Sequence, residues 1–373
     1  MTASFSALPV GQGDAFFVSS GSFAALIDGG RSRTALPTLL ARRPRARTLT
    51  AVVCTHNDAD HAEGLIGLLG SDSISVPEVW LPGQWATRLR DLFVAPVAFM
   101  HEVLVQIHSL GEEDRERSLA ELGDTYAEAA EAGDDGPAIV EILDEAIEAR
   151  TRAPDSLTRN HTLWLLQWVH PFDRISTRLF WEAIDAAERI RALAYLAWER
   201  ASVIRWFAVS SSPPGRATTP LIPVNSMEIV RVSAKKLDAL RFLALSVSNK
   251  RSLCFAFLPA SEAPPVLLAA DSDLSFQAPI PWASGMIVTA PHHGSEANAK
   301  AYSRASQECP DPNSIVWVRS DGRFRSRPGA SFLRQSRRYC TRCRPYSQAV
   351  QEVHFVGNAS SWRPRRVKPC RCV

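Results

Sequence analysis

The stretch "AVVCTHNDADHAEGL", Ala51 to Leu65, decides how the rest of the chain is interpreted. An apolar run typical of a strand stops there, and a short helical pattern follows. Between the two, six residues carry two imidazoles and two carboxylates: His56, Asp58, Asp60 and His61. Imidazole and carboxylate are ligands of divalent transition metals. The alternative is a polar surface turn that caps the helix through Asp58 or Asp60.

Two further apolar runs also stop at metal-ligand residues. "PVLLAA" ends at Asp271, and "GMIVTAP" ends at His292 and His293. Because binding sites in α/β layers gather at strand ends, we expect these groups to converge on the first turn. The spacing predicts two metal ions, one held by His56 with Asp58 and the other by Asp60 with His61. Asp271 is the natural bridging anion.

Such a pair of ions lowers the pKa of a water molecule bound between them. It also stabilises the attacking and the leaving oxygen of a displacement reaction. Imidazole with carboxylate suits zinc, manganese or iron, and the carboxylate of Asp58 shifts its site towards manganese or magnesium.

The chain divides into four parts by pattern and charge. Residues 1–84 and 207–320 are rich in short strand patterns, and residues 85–206 predict a helical insertion. In the insertion, apolar residues from Ile184 to Ile204 repeat at intervals of three and four. Residues 112–150 carry 14 acidic and 3 basic residues, whereas residues 319–373 carry 14 basic and 2 acidic ones. Acidic runs are commonly solvated helix faces, but this one can also shield the metal edge or bind a protein partner.

The basic tail, residues 321–373, contains four of the seven cysteines, as "CTRC" and "CRC". Two close pairs of thiolates suit a tetrahedral structural zinc ion. The alternative is four unligated thiols. The predicted ligands are Cys340, Cys343, Cys370 and Cys372.

The same tail interleaves arginines with aromatic residues, among them Phe324, Tyr339 and Trp362. Arginine pairs with phosphates and aromatic rings stack on unpaired bases, so the pattern favours a nucleic-acid contact surface. A solvated tail, or one docked on the acidic insertion, is the alternative. The candidate nucleic-acid contacts are Arg323, Arg325, Arg327, Arg337 and Arg338.

The motifs resemble the metallo-β-lactamase fold superfamily, whose signature is H-x-H-x-D-H, with Asp58 in place of the second histidine. That variant looks most like the hydrolase domains of the ComEC type, found in competence DNA-uptake proteins. The same resemblance is carried by "VGQGDA" (Val10 to Ala15), "LIDGG" (Leu26 to Gly30) and "HHGS" (His292 to Ser295). It covers residues 5–84 and 245–320 and implies an αββα sandwich with metals at one edge.

Carried over by position, the resemblance implies that His56 and Asp58 hold the first metal ion. It implies that Asp60 and His61 hold the second, with Asp271 as the bridge. His292 is preferred as the last ligand because it comes sooner after its strand. Asp60 and His293 are then the catalytic candidates, with His293 contacting a phosphate oxygen or protonating the leaving group. Asp14 and Asp28 would hold the ligands in place by hydrogen bonds.

One histidine of the superfamily pattern is missing between the first cluster and Asp271. The candidates all lie in the helical insertion, where a helix-surface or core role is the simpler interpretation: His101, His108, His161 and His170.

These observations predict a hydrolase with two divalent metal ions, zinc or manganese, that cleaves phosphodiesters in nucleic acid. The alternatives are a small ester, lactone or thioester substrate, or a non-catalytic regulatory protein with a degenerate site. No apolar run approaches a membrane span, and no signal peptide is evident, so we expect a cytoplasmic protein without a membrane partner.

Overall fold

The computed structural model describes residues 2–43, 49–72, 74–127, 135–152, 174–200, 202–210, 219–233, 236–320, 326–343 and 350–372. The strands in these ranges are β1 (Ser4–Ala7), β2 (Phe16–Ser20), β3 (Phe23–Ile27), β4 (Ala51–Val53), β5 (Glu78–Pro82), β6 (Val203–Val209), β7 (Leu221–Pro223), β8 (Ser226–Ile229), β9 (Phe255–Phe257), β10 (Val266–Leu268), β11 (Ile287–Thr289), β12 (Val316–Arg319), β13 (Arg338–Cys340), β14 (Val353–Asn358) and β15 (Ser361–Pro364).

Of the α-helices in the same ranges, six lie in the predicted insertion, residues 85–206. The α-helices are α1 (Ala35–Ala41), α2 (Ala59–Leu69), α3 (Leu89–Val94), α4 (Pro96–Ser109), α5 (Glu112–Glu116), α6 (Leu119–Tyr126), α7 (Ile139–Arg152), α8 (Arg174–Glu199), α9 (Ala239–Ser246), α10 (Ala299–Glu308) and α11 (Ala330–Leu333).

Two sheets face each other with helices on both outer sides. The larger has the order β15-β14-β1-β2-β3-β4-β5-β6-β8, and the smaller has the order β13-β12-β11-β10-β9-β7. Large aromatic side chains fill the space between them, among them Phe5, Trp80 and Phe255. Each contributes about 1.5–3 kcal/mol by leaving water. Helices α1 and α2 cover the larger sheet, and α10 and α11 cover the smaller. The αββα sandwich predicted from the sequence is confirmed.

The helical insertion ends earlier than its apolar repeat predicts. Helix α8 stops at Glu199, and the following residues form β6, which pairs in parallel with β5 from Val203 to Phe207. The prediction of a helix through Ile204 is therefore wrong for the last turn. The run "VIRWFAV" is rich in β-branched and aromatic residues, which favour strands, and its backbone groups form hydrogen bonds in the sheet. Pairing in the sheet therefore outweighs the local helical spacing.

The described part of the basic segment after residue 320 contributes strands to both sheets. Strand β13 extends the smaller sheet beside β12, and β14 pairs with β1 in the larger one. The indole of Trp362 on β15 is buried and donates to the Pro264 carbonyl at 3.0 Å. This segment therefore forms strands of the sandwich.

Parallel pairing brings the predicted ligands to one edge. Strands β3 and β4 run parallel, as do β10, β11 and β12. Since the carboxyl ends of parallel strands meet at one edge, the loops after these strands lie together.

Among the described residues, no single helix has the length and apolar character of a membrane span. The bent pair Gly83–Val94 and Pro96–Ser109, with a 117° angle, meets that test by length and composition when counted together.

Candidate metal centre

The turn between β4 and α2 presents its side chains to the edge of the sandwich. Asp58 is the N-cap residue of α2, yet within this described turn its side chain makes no capping hydrogen bond. Its carboxylate lies 3.9 Å from His56 Nε2. The imidazoles of His56 and His61 lie 4.2 Å apart between ring centroids. The helix-capping interpretation therefore does not account for Asp58.

His61 is the centre of the cluster. Its Nδ1 lies 2.8 Å from Asp28 Oδ2, and its Nε2 faces Asp271 Oδ1 at 3.2 Å. Burial alone would lower its pKa, but the carboxylates of Asp271 and Asp28 raise it well above the usual value. Because Asp28 accepts at Nδ1, that nitrogen keeps its proton, and Nε2 is the atom that would give up its proton to bind a metal ion.

His56 is buried beside the same carboxylate. Its Nε2 lies 3.7 Å from Asp271 Oδ2, and its Nδ1 lies 3.1 Å from Thr55 Oγ1. Burial and the nearby charge of His61 lower the pKa of His56 to about 3. A neutral imidazole is the form that binds metals.

The carboxyl groups of the turn differ in charge state. Loss of hydration, together with Asp60 and Asp271, raises the pKa of Asp58 to about 7. Burial would also raise the pKa of Asp60, but the hydrogen bond and charge of His293 lower it. Burial acts likewise on Asp271, whose pKa is held well below the usual range by its neighbouring histidines.

His292 and His293 share a strained turn after β11. Both have left-handed backbone conformations, with φ of 49° and 54°, which L-residues adopt at a cost of about 1–3 kcal/mol. His293 is buried, with its Nδ1 3.1 Å from Asp14 Oδ1 and its Nε2 3.2 Å from Asp60 Oδ2. Although burial opposes protonation, Asp14 and Asp60 raise the pKa of His293 to about 10.

His292 is more exposed and points towards the solvent side of the cluster. Its Nδ1 lies 3.2 Å from Asn298 Oδ1, and its Nε2 lies 3.5 Å from Asp271 Oδ2 and also contacts Arg327 Nη2. Burial lowers the pKa of His292, and the charge of Arg327 adds to the effect of burial.

The buried groups fit divalent metal ions. His56 Nε2, His61 Nε2 and Asp271 Oδ1 are buried, and the described residues give none of them a hydrogen-bond partner from outside the cluster. Leaving such atoms unsatisfied costs about 1–3 kcal/mol each, which a metal ion would offset. Three sets at this edge have ligand atoms within 4.8 Å of one another: His56, His61 and Asp271; Asp60, His61 and His293; and Asp14, Asp28 and His61. In the third set, Asp14 and Asp28 contact His293 and His61, so the first two are the candidate metal sets.

The structure does not supply the missing histidine from the described part of the insertion. His101 and His108 lie on α4 and are exposed, away from the cluster. His161 and His170 lie outside the described residues. Of the described histidines, only His56, His61, His292 and His293 come together at this edge.

Several residues that support the site were missed by sequence reasoning. The side chain of Asn57 donates to Ala186 O on α8 at 2.8 Å, and Arg189 Nε donates to Asn57 O at 2.8 Å. Asn298 Nδ2 donates to Asp271 O at 2.8 Å. These contacts join segments up to 132 residues apart, so no local pattern marks them. The position of Asn57 within the ligand turn was the only available signal.

A cavity of about 320 Å³ opens beside the cluster. Asp58, Asp60, Asp271 and His292 line it, together with Glu182, Asp185 and Arg189 of α8. Arg31 and Arg327 add positive charge. The insertion thus closes over the edge where the ligands converge.

The three predicted nucleic-acid contacts that the structure describes do not lie together. Arg327 lines the cavity, whereas Arg337 donates to Ser314 O at 3.0 Å. Arg338 pairs with Trp317, at the end of β12 remote from the ligand loops. Arg323 and Arg325 lie outside the described residues.

We expect Asp28→Asn to weaken metal binding by about 10–100-fold, because an amide has only one acceptor oxygen. Asp28 accepts from His61 and the Thr55 hydroxyl at one oxygen and from the Thr55 backbone amide at the other, and Asn cannot do both. Competition with a chelator of known affinity measures the change. Asp311→Asn, in an exposed turn, is the matched control. Equal metal affinity in the two variants would contradict the role given to Asp28.

Comparison with known families supports a metal site at this edge of the sandwich. Residues 8–171 match the model of the metallo-beta-lactamase superfamily. No curated protein matches the chain. The match supports the superfamily and, with it, a metal-dependent hydrolase. It ends before Asp271, His292 and His293, which the fold brings to His61.

Proposed function

We propose that this metal-dependent hydrolase cleaves phosphodiester bonds in single-stranded or unwound nucleic acid, in the manner of the ComEC-type domains that its motifs resemble. The observation that carries the hydrolase function is the convergence of His56, His61 and Asp271, whose buried ligand atoms have no other partner among the described residues.

We assign His293, with Asp60 and His61, to the second metal ion. Asp14 Oδ1 lies 3.1 Å from His293 Nδ1. Metal-binding histidines usually have a carboxylate or carbonyl at the ring nitrogen that does not bind the metal. His292 instead faces the cavity. This assignment reverses the preference that strand spacing gave, in which His292 was the ligand and His293 the catalytic group. His56 and Asp58, with Asp271 as the bridge, remain the proposed ligands of the first ion.

Divalent zinc or manganese in these positions would supply an activated water at neutral pH and offset negative charge developing on the substrate. The chain's own residues orient that reaction. Asp28 keeps the proton of His61 at Nδ1, and Asn298 holds Nδ1 of His292. His292 Nε2 is then able to accept or return a proton at the cavity wall, beside Arg327.

The choice of a phosphodiester substrate rests on charge. Arg31, Arg189 and Arg327 line the cavity, and guanidinium groups pair with phosphate oxygens. Glu182 and Asp185 also line the cavity and disfavour the binding of a broad polyanion there. A single strand, which presents fewer phosphates than a duplex, fits this mixed lining best.

The experiment that tests the proposal is cleavage of labelled single- and double-stranded DNA and RNA with manganese or zinc. The Asp60→Ala, His61→Ala double variant is the control, since it removes two proposed ligands. We expect cleavage of single strands by the parent chain alone. Equal cleavage by the double variant would exclude the site.

A small ester, lactone or thioester as substrate is the alternative within the same fold. Removal of the tail does not separate the two, because β13, β14 and β15 are strands of the two sheets. Turnover of neutral esters without any cleavage of nucleic acid would favour the alternative. Metal-free protein, inactive on every substrate, would favour a non-catalytic regulatory role.

We expect Arg327→Ala to lower kcat/KM for a phosphodiester by about 10–100-fold, because hydrogen bonds to charged groups contribute about 1.5–3 kcal/mol. Turnover of a neutral ester should change much less. Arg337→Ala, which removes an exposed arginine remote from the ligand loops, is the control. An equal loss on both substrates would argue against phosphate recognition by Arg327.

We also propose that the acidic run of the insertion binds a basic protein partner and that the protein is cytoplasmic. The helices α5 and α7 carry exposed carboxylates suited to a basic protein partner. A cytoplasmic location without a membrane partner agrees with the composition of the chain.

A further inference from the structure

Four cysteine sulfurs meet at the end of β13. Cys340 ends this strand, Cys343 follows it, and Cys370 and Cys372 arrive from a segment some 30 residues later. The four sulfur atoms all lie within 4.8 Å of one another, and none forms a disulfide. Tetrahedral zinc with Zn–S bonds of about 2.3 Å needs sulfurs about 3.8 Å apart. The cluster is therefore close to the size of an occupied site.

Backbone amides already point at two of the sulfurs. The amide of Arg371 donates to Cys343 Sγ at 3.3 Å, and the amide of Cys372 donates to Cys370 Sγ at 3.4 Å. Hydrogen bonds of this kind support sulfurs that carry negative charge, as the sulfurs of metal-bound cysteines do.

A buried cation lies against the same group. Arg319 is fully buried, with its Nε 3.4 Å from Cys340 Sγ and its Nη2 3.9 Å from Cys372 Sγ. A buried guanidinium is stable only where negative charge or hydrogen bonds compensate it. Arg319 Nη2 also donates to the Arg342 carbonyl at 2.7 Å. Thiolates held by a metal ion would add the negative charge that four neutral thiols lack.

The two cysteine segments are held together by contacts that do not involve sulfur. Cys370 N donates to Arg338 O at 2.7 Å, and Gln351 Nε2 donates to Cys340 O at 2.9 Å and to Lys368 O at 3.0 Å. The site is thus preformed from backbone geometry.

We propose that Cys340, Cys343, Cys370 and Cys372 bind one structural zinc ion, separate from the metals of the hydrolase edge. Binding forms four Zn–S bonds and releases the thiol protons to solvent, with no change of oxidation state. The ion joins β13 to the segment that follows β15. Arg319 contacts two of the cysteine sulfurs and is followed by Ser320. The Ser320 hydroxyl donates to Asp14 and lies 3.2 Å from His293 Nδ1, so the zinc ion would also help to fix these two residues of the hydrolase site.

The test is elemental analysis of the full chain, purified without chelators. We expect the Cys343→Ser, Cys370→Ser double variant to contain one equivalent of zinc less per chain than the parent. Cys309→Ser, which changes a buried cysteine outside the cluster, is the matched control and should keep its zinc. Trypsin should also cleave the cysteine variant faster at Arg365 and Arg366. Equal zinc in the double variant and the control would overturn the proposal.

A second measurement covers the case in which the cysteine variant does not fold. A thiol-specific mercurial added to the Asp60→Ala, His61→Ala variant should release one equivalent of zinc, because that variant keeps all four cysteines. The outcome is independent of hydrolase activity, so failure of the proposed function and failure of the zinc site remain distinguishable. Recovery of the parent chain with two disulfides in this group, and no released zinc, would contradict it.

Discussion

The His61→Asn variant is expected to lose at least about 100-fold in kcat/KM while it keeps its fold. The amide nitrogen of Asn takes the place of Nδ1 and keeps a donor beside Asp28, but nothing replaces Nε2, which faces Asp271. Even residues that only support metal ligands cost about 10–100-fold when they are changed, so removal of a ligand shared by both candidate sets should cost more.

Metal content, thermal unfolding and turnover of the preferred substrate are the three measurements for this variant. The control is His101→Asn, which changes an exposed histidine of α4. We expect wild-type values for the control and a loss of metal for His61→Asn. A variant that kept its metal and its rate would mean that the reacting groups lie elsewhere.

The Gly13→Ala variant is expected to lose about 2–5 kcal/mol in the free energy of unfolding. Gly13 has a φ of 99°, and a Cβ there would overlap the carbonyl group of Asp60. The backbone conformation accounts for about 1–2 kcal/mol and the overlap for about 1–3 kcal/mol. Asp14 N donates to Asp60 O at 3.0 Å, and the carboxylates of both residues contact His293. Displacement of the Asp60 carbonyl would therefore also move these two carboxylates.

Gly21→Ala is a matched control for this loss. Gly21 also has a positive φ, of 59°, but a Cβ there would meet no atom within 4 Å among the described residues. We expect it to lose only about 1–2 kcal/mol, the backbone part of the effect. Denaturant unfolding of the two variants gives the comparison. Equal losses would show that the approach of the Val10–Asp14 loop to Asp60 is not tightly packed.

The ligand-bearing loops were predictable from the sequence because each is a local event. A strand pattern that stops at His56, Asp271 or His292 identifies both the strand and the residue delivered at its end, and parallel pairing then brings the ends together. The αββα layers were implied by the family that these motifs resemble. The cysteine pairs were visible as spacing, and their convergence fits that interpretation.

The remaining features depend on contacts between distant segments. The bonds of Asn57 with Ala186 and Arg189 form only once the insertion has folded over the edge. The end of α8 at Glu199 is set by pairing of the next residues with β5, since local spacing alone favours a longer helix. The relative places of His292 and His293 depend on two left-handed residues, which spacing after a strand does not reveal.

The pairing of β1 with β14 has a consequence for biosynthesis. Ser6 Oγ contacts His354 Nδ1 at 2.8 Å across 348 positions of the chain. While the ribosome is still translating, β1 has β2 on one side and an open edge on the other. That edge closes only when residues 353–358 emerge. Completion of the larger sheet is therefore a late event, and a nascent chain stalled before this point exposes a strand edge on which chaperones or aggregation can act.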